Sequence, residues 1–487
     1  MAMTSQIHFI LNDREVDTSV ASGVTVLDYL RQIARLTGTK KGCGEGGCGA
    51  CTIILGELQA EKLVYKSLLS CLLPLGELSG KHLVTIEGLN QENLSPIQQA
   101  LVDWGATQCG FCTPGIVMSL TGYLLATETE IDEAEIKLAL HNNLCRCTGY
   151  AAIKRAGMAL MESLKRQQGL YNLESLINCG IIPPYFREIP TRLYQLSQSP
   201  NPSQNGKVPS EFVIAGGTDI YAQRSHILAT ASLRLLNQYS FMQGITTENN
   251  FLRIGALTTF ADFANHSAII KLIPDIQKYI QRIASVLIRQ RATVGGNIMN
   301  ASPIGDISVL LLALNASLVF QAGNNIRTVL LRDFFRGYKE TAKKPGEILT
   351  EIRISIPQLS TKFNFEKITK RQYLDCAVVN SAVRVVASES NAIGCEYPKI
   401  LDISISMGGV APMSLCLKKT SNYLVGKPIT QEAIAGAFPI LQSEISPITD
   451  IHGSAHYKRL LARQILIAHF IQLFPDAIAL QNFYETT

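Results

Sequence analysis

Gly42-Cys43-Gly44-Glu45-Gly46-Gly47-Cys48-Gly49-Ala50-Cys51 is the stretch on which the reading of this chain turns. It spaces three cysteines as C-x4-C-x2-C among glycines, and Cys71 follows at a distance. For four thiolates to converge on one centre, a single loop can present three of them only by winding tightly. Glycine permits that winding and lets backbone N–H groups approach sulfur. The chain has 487 residues and 12 cysteines, eight of them before residue 148. That is too sparse for a disulfide scaffold but strongly clustered. Residues 1–12 show no basic start followed by an apolar stretch and a small-residue cleavage site, so no secretory signal is expected. The expected compartment is the cytoplasm, where clustered cysteines serve as metal ligands more often than as disulfides.

C-x4-C-x2-C with a distant fourth cysteine is the plant-type spacing for a [2Fe–2S] cluster. Zinc is the rival reading, although zinc knuckles favour paired C-x2-C units. The flanks support the first reading. Residues 7–11 and 15–20 alternate as a hairpin, and Thr25 is placed to cap a helix running to Leu36. Together they predict a β-grasp ferredoxin domain over residues 1–86. Gly42, Gly44 and Gly47 also satisfy G-x-G-x-x-G, but a dinucleotide fingerprint follows a strand and opens a helix. Here a helix precedes the glycines and cysteines fill the loop, so the dinucleotide reading is rejected.

A second set comprises Cys109 and Cys112, spaced C-x2-C, and Cys145 and Cys147, spaced C-x-C. The first pair precedes a helix predicted over 116–126, and the second follows one over 132–141. Two antiparallel helices would bring both pairs to one end of a bundle, over residues 87–165. Gln108-Cys109-Gly110-Phe111-Cys112-Thr113-Pro114-Gly115, with Asn142-Asn143-Leu144-Cys145-Arg146-Cys147-Thr148-Gly149-Tyr150, resembles the iron–sulfur part of the molybdenum hydroxylases. That family includes xanthine dehydrogenases, aldehyde oxidases and carbon monoxide dehydrogenases. The resemblance implies that both cysteine sets hold [2Fe–2S] clusters. It also implies that Gln108 and Cys147 touch the pterin of a molybdenum cofactor across a domain or subunit boundary. Ser95 stands where the family pattern leads one to expect histidine.

Two glycine turns follow. Phe212-Val213-Ile214-Ala215-Gly216-Gly217-Thr218-Asp219 is an apolar strand running into a turn, and Ala292-Thr293-Val294-Gly295-Gly296-Asn297 is a second turn. Glycine loops with outward N–H groups can cradle a pyrophosphate. Each turn alone is a common feature; as a spaced pair they resemble the flavin domain of the same family. That resemblance implies FAD contacts at Ile214, Gly216, Gly217, Thr218 and Asp219, and at Thr293, Gly296, Asn297 and Asp306. It places Leu349 and Lys367 near the adenine or the ring. Ile283 stands where animal relatives stack an aromatic. After Lys370-Arg371 the run Gln372-Tyr373-Leu374-Asp375 keeps one acid where the family carries two or three. Tyr373 is either a flavin neighbour or a surface aromatic.

The expected fold class is α+β multidomain, with an α+β FAD-binding domain over 187–357 and a C-terminal α+β flavoprotein domain over 358–487. Residues 166–186 are read as a linker with room for a short helix, and 197–205 as a polar loop. Strands are predicted over 377–387 and 400–407, and a helix over 456–474. Cys179, Cys376, Cys395 and Cys416 lack ligand spacing and are expected in the core. His141 is expected to end a helix rather than to bind metal. Charged residues are 17% of the chain, against about 25% in typical domains. The net charge of +5, with no basic run interleaved with aromatics, argues against nucleic acid. The apolar run 307–320 is too short to span a bilayer and is expected as buried helix or strand. The arrangement resembles the small subunit of bacterial xanthine dehydrogenases. It implies a molybdenum-binding large partner subunit in an (αβ)2 assembly, NAD as acceptor, and no catalytic residue for the hydroxylation on this chain.

Overall fold

The computed structural model describes residues 6–59, 62–127, 132–166, 172–198, 212–357, 361–388 and 397–478. The chain forms two compact units. The first takes residues 1–238 and 285–291; the second takes 239–284 and 292–487.

The first unit opens with a five-stranded sheet of order β2-β1-β5-β3-β4. Its strands are β1 (Ile7–Leu11), β2 (Arg14–Thr18), β3 (Thr52–Gln59), β4 (Lys62–Leu69) and β5 (His82–Val84). The hairpin closes as its alternation predicts: β1 runs antiparallel to β2 with Phe9 opposite Val16. It runs parallel to β5 on its other edge. Phe9, Leu30, Ile53, Leu73 and Leu83 fill the core on one side of this sheet. Thr25 caps the helix as expected, its Oγ1 accepting from Asp28 N at 3.1 Å. That helix, α1 (Val26–Asp28), continues as a π turn over Tyr29–Ile33 and so stops short of Leu36.

Four helices follow: α2 (Pro96–Asp103), α3 (Thr113–Ala126), α4 (Glu133–Leu140) and α5 (Ala151–Arg166). α2 packs on α5, α3 on α4, and α3 also covers β3 and β4. The sheet and the bundle therefore share one core, in which Ile54, Tyr65 and Val84 meet Ile116, Leu120, Leu124 and Ile153. Ser95 proves to be the N-cap of α2. It forms a reciprocal capping box with Gln98, whose Oε1 accepts from Ser95 N at 2.8 Å. Asp132 caps α4, and His141 is its C-cap.

The stretch 166–186 is more than a linker. Its described part carries α6 (Leu173–Asn178), and Leu176, Ile177, Ile181, Ile182 and Phe186 join the bundle core. Next comes α7 (Ile189–Gln198), which covers the outer face of β1 through Ile189 and Leu193 against Ile10. The sequence reading missed this because short apolar patches spaced by prolines show no clear period, and their burial depends on a distant strand. The expected polar loop at 197–205 begins inside α7; its remainder lies outside the described residues. The unit closes with β6 (Phe212–Ile214), α8 (Ile220–Leu228) and β7 (Leu233–Leu235), a parallel strand–helix–strand unit around the first glycine turn.

Among the described residues the second unit has two large sheets and a two-stranded ribbon, Phe335–Gly337 with Glu340–Thr341. One large sheet is antiparallel, with the strands Asn325–Leu330, Ser317–Ala322, Ile348–Ser355, Phe251–Gly255 and Ile245–Glu248 in that order. The other pairs Lys362–Ile368, Val379–Ala387, Ile400–Gly408 and Leu415–Cys416. The helix Ala455–Leu473 packs on the second sheet, with Leu466 and Phe470 in its core. The apolar run 307–320 divides into the buried helix Asp306–Ala313 and the strand starting at Ser317. Among the described residues no helix is long and apolar enough to cross a membrane. One expectation fails here: Cys376 is exposed, and Cys179 and Cys416 are only partly covered. Cys376 follows an irregular turn rather than facing a sheet interior. Cys395 lies outside the described residues.

Candidate iron–sulfur and flavin sites

The first cysteine loop joins α1 and its π turn to β3, and Cys71 lies in a 3₁₀ turn straight after β4. Because β3 and β4 are paired neighbours with Thr52 opposite Leu69, their ends carry Cys51 and Cys71 to one spot. The two sulfurs lie 3.3 Å apart and are buried. At the mouth of the loop Cys43 N points at the Cys48 sulfur at 3.4 Å. The N–H groups of Glu45 and Gly47 point at the Cys43 sulfur at 3.4 and 3.2 Å. Gly49 has φ +67°, and a Cβ there would stand 2.6 Å from Asn142 O, so only glycine suits this point.

The second set closes at the ends of α3 and α4, as the bundle argument predicts. Cys112 is the N-cap of α3, and Cys145 lies beyond the end of α4. The Cys109 and Cys147 sulfurs are 3.6 Å apart and exposed, whereas Cys112 and Cys145 are buried. Thr148 donates to the Cys145 sulfur from its hydroxyl at 3.1 Å and from its N–H at 3.4 Å. The part played by Thr148 was not read from the sequence, although its place directly after the C-x-C pair was a usable signal.

Among the described residues no three His, Cys, Asp or Glu side chains converge on one ion position. The sulfurs come in pairs instead. Two thiolates on one tetrahedral metal with bonds of about 2.3 Å lie about 3.8 Å apart. Pairs near that spacing suit thiolates that share one metal, as two on each iron of a binuclear cluster would. The electrostatics agree. The hydrogen bond shared with Cys48, helped by the loop N–H groups, holds Cys43 down to about 5 and pushes Cys48 up. The same sharing lowers Cys51 and raises Cys71. Burial, then Cys145, pushes Cys112 up to about 12. Sulfurs this crowded cannot all ionise unless a cation compensates them.

The two cysteine loops touch. Leu144 N donates to Cys48 O at 3.0 Å, and Asn143 Nδ2 to Gly49 O at 3.3 Å. The first glycine turn also belongs to this neighbourhood, because Ile214, Tyr221 and Leu235 share a hydrophobic core with Cys51, Cys71 and Leu72.

The two glycine turns differ in kind. In the first, Gly217 has φ +70°, and residues 216–219 donate to no protein acceptor among the described residues. Those N–H groups lead into α8 and suit an anionic group. In the second, the N–H groups are already used. Val294 donates to Thr258 O, Gly295 to Ala256 O, Gly296 to Thr293 Oγ1 and Asn297 to Thr293 O. Its glycines let the helix Val294–Asn300 start against Ala256, so the expectation of two equivalent N–H cradles does not hold. Asn297 Oδ1 accepts from Ser308 N and Oγ at 3.0 and 2.9 Å, which ties this turn to the helix Asp306–Ala313.

Lys367 and Asp306 are brought together in the second unit, Nζ to Oδ2 at 2.8 Å. Asn380 Nδ2 donates to the other carboxylate oxygen at 2.6 Å. Nothing in the sequence marked Asn380; only strand pairing carries it there. Leu349 is buried in the strand Ile348–Ser355, opposite Phe320, and Ile283 is also buried. Asp375 is engaged by its own loop, accepting from Arg371 N at 2.9 Å and Cys376 N at 3.0 Å.

Comparison with known proteins covers all four parts of the chain. Residues 9–75 match the 2Fe-2S iron-sulfur cluster binding domain, and 85–158 match the [2Fe-2S] binding domain. Residues 196–358 match the FAD binding domain in molybdopterin dehydrogenase, and 365–473 match the CO dehydrogenase flavoprotein C-terminal domain. The chain belongs to the molybdenum hydroxylase family.

Xanthine dehydrogenase of Emericella nidulans is 30% identical over 97% of this chain and 39% of that protein. Aldehyde oxidase 1 of Macaca fascicularis is 28% identical over 97% of this chain and 39% of its own. The chain thus spans about two fifths of these molybdenum hydroxylases. A solved carbon monoxide dehydrogenase from Oligotropha carboxidovorans is 27% identical, with a TM-score of 0.49 over 54% of this chain and 88% of that one. Within the family match, the first cysteine set falls in the 9–75 segment and the second in the 85–158 segment. Both glycine turns, Asp306 and Leu349 fall in the FAD segment, and Lys367 in the C-terminal one.

Proposed function

We propose that this chain relays electrons for a xanthine dehydrogenase, from a molybdenum site on a partner chain, through its two clusters to FAD and then to NAD. Bound [2Fe–2S] clusters pass electrons singly, and a bound flavin collects them as a pair. The observation that carries the reading is the order of the sites in the first unit. The second cysteine set reaches the surface through Cys109 and Cys147, with Gln108 also exposed and Phe111 and Leu144 47% and 52% exposed. In the first set Cys43 is exposed, whereas Cys51 and Cys71 are buried and share their core with the first glycine turn, and the loop beside the second set touches the first at Cys48 and Gly49. An electron entering at the surface set therefore has a donor-to-acceptor order built into the chain.

The residues divide the work. Cys109, Cys112, Cys145 and Cys147 hold the entry cluster, and Gln108 and Cys147 meet the pterin of the partner. Cys43, Cys48, Cys51 and Cys71 hold the inner cluster. FAD contacts are assigned to Ile214, Gly216, Gly217, Thr218, Asp219, Thr293, Gly296, Asn297, Asp306, Leu349 and Lys367. The hydroxylation itself has no general base or nucleophile here. A second reading is the equivalent role in an aldehyde or N-heterocycle oxidising enzyme, favoured by the aldehyde oxidase match of equal coverage.

Isolation of the chain from its source, with metal analysis and a substrate screen, tests both readings. Recovery with a molybdenum-containing partner that oxidises xanthine and reduces NAD supports the first, and an aldehyde preference supports the second. Recovery as a lone, molybdenum-free NADH-oxidising protein refutes both.

A further inference from the structure

Asn142 is 1% exposed, and neither end of its side-chain amide meets a protein partner among the described residues, cysteine sulfurs included. Native proteins almost always supply a partner to such a group. Its surroundings indicate which partner. The Asn142 carbonyl presses on Gly49, Asn143 Nδ2 donates to Gly49 O, and Leu144 N donates to Cys48 O. Residues 142–144 are therefore laid along the stretch between Cys48 and Cys51. One more buried donor without a protein partner among the described residues flanks the same loop, the Thr39 hydroxyl. Thr39 sits beside Lys40, whose N–H donates to Ala50 O at 3.1 Å. The acceptor that a [2Fe–2S] group brings, and that the chain does not itself provide, is bridging sulfide.

We propose that the Asn142 side-chain amide donates to a bridging sulfide of the first [2Fe–2S] cluster and raises its reduction potential. This rests on the reading that Cys43, Cys48, Cys51 and Cys71 hold that cluster. Reduction adds negative charge to the cluster, and a hydrogen bond to sulfur stabilises the reduced form more than the oxidised one. Asn142 is not a ligand, so the cluster assembles without its amide but is harder to reduce.

The test is a redox titration of the full chain followed by electron paramagnetic resonance. The first cluster is identified as the signal that persists in Cys147→Ala. Asn142→Leu keeps the volume and removes the donor. It should lower the reduction equilibrium constant of the first cluster about tenfold, about 59 mV for one electron, and move the second cluster less than about twofold. Asn142→Asp, which replaces the donor with negative charge, should shift it the same way, and it stands in if the leucine variant does not fold. A first-cluster potential unmoved in the variant that folds, or a second cluster that moves as far as the first, overturns this role for Asn142. Absence of the first-cluster signal from the unmodified chain overturns the cluster reading itself, and this role with it.

Discussion

Replacing Glu77 with glutamine leaves the Arg291 guanidinium charged and buried without its counter-ion. Glu77 lies in the 3₁₀ turn Leu75–Leu78, and Arg291 follows the short helix Val286–Arg289; both belong to the first unit. Their side chains are only 5% and 9% exposed. They form a two-pronged pair, with Nη1 to Oε2 at 2.8 Å and Nη2 to Oε1 at 2.6 Å. Burial works to lower the Arg291 pKa, and Glu77 more than offsets it. Breaking a buried pair by removing one partner costs about 3–5 kcal/mol, whereas replacing both by apolar residues of similar size is close to neutral. Glu77→Gln is therefore expected to destabilise the first unit by about 3–5 kcal/mol. Glu77→Leu with Arg291→Met should recover most of that loss. The single tryptophan of the chain, Trp104, lies in the first unit, so its fluorescence during urea unfolding reports on that unit alone. Raising the salt concentration should change little, because a buried pair is poorly screened. A loss below about 1 kcal/mol for Glu77→Gln, or a double variant no more stable than the single one, would refute the assignment of this pair as a buried latch.

Three shorter predictions follow from other sites. The purified chain should carry about four irons per flavin, and Cys147→Ala should remove one of two paramagnetic signals; survival of both would show that the second ligand set is misassigned. Burial holds His82 and His469 down to about 3, while an unfolded histidine titrates near 6.5. The unfolded chain thus takes the proton first, and each histidine removes about 1.4 kcal/mol of stability per pH unit as pH falls from about 6.5 toward 3, and nothing above that window. Urea midpoints should drop between pH 6.5 and 4, and His82→Gln should flatten the slope that Trp104 reports; a flat profile in the parent chain contradicts this. Ser95→Ala breaks the capping box of α2 and should cost about 1 kcal/mol in the same unfolding assay, with no change in iron content.

What the sequence revealed depended on how local the cause was. Cysteine spacing and interleaved glycine are short-range facts, because a loop that wraps a cluster must carry its ligands within a few residues. The same holds for the β1–β2 hairpin, the Thr25 cap and the ends of α3 and α4. Periodicity likewise identified the strands around 380 and 404 and the long helix near the C-terminus. The function of Ser95 was also local, yet it was judged against a family pattern rather than as an N-cap, and so was missed.

The rest was decided by contacts between distant segments. The patches at 173–186 looked like a linker because their burial is supplied by the bundle core, and Ile189 and Leu193, read as part of the FAD-binding domain, are buried by Ile10. The two glycine turns read alike, but in the second the distant partners Ala256 and Thr258 consume two N–H groups while Thr293 of the turn itself takes two more. The pairing of Glu77 with Arg291 spans 214 residues, and Asn380 reaches Asp306 only through strand register. The sequence alone determined which residues could hold inorganic sulfur and iron, because ligand chemistry is written in residue type and short spacing. Only the tertiary structure decided which sulfurs face the surface, which backbone donors stay free, and which buried polar side chains near the first cysteine loop are left without a protein partner among the described residues, because burial and hydrogen-bond partners are set by the whole chain.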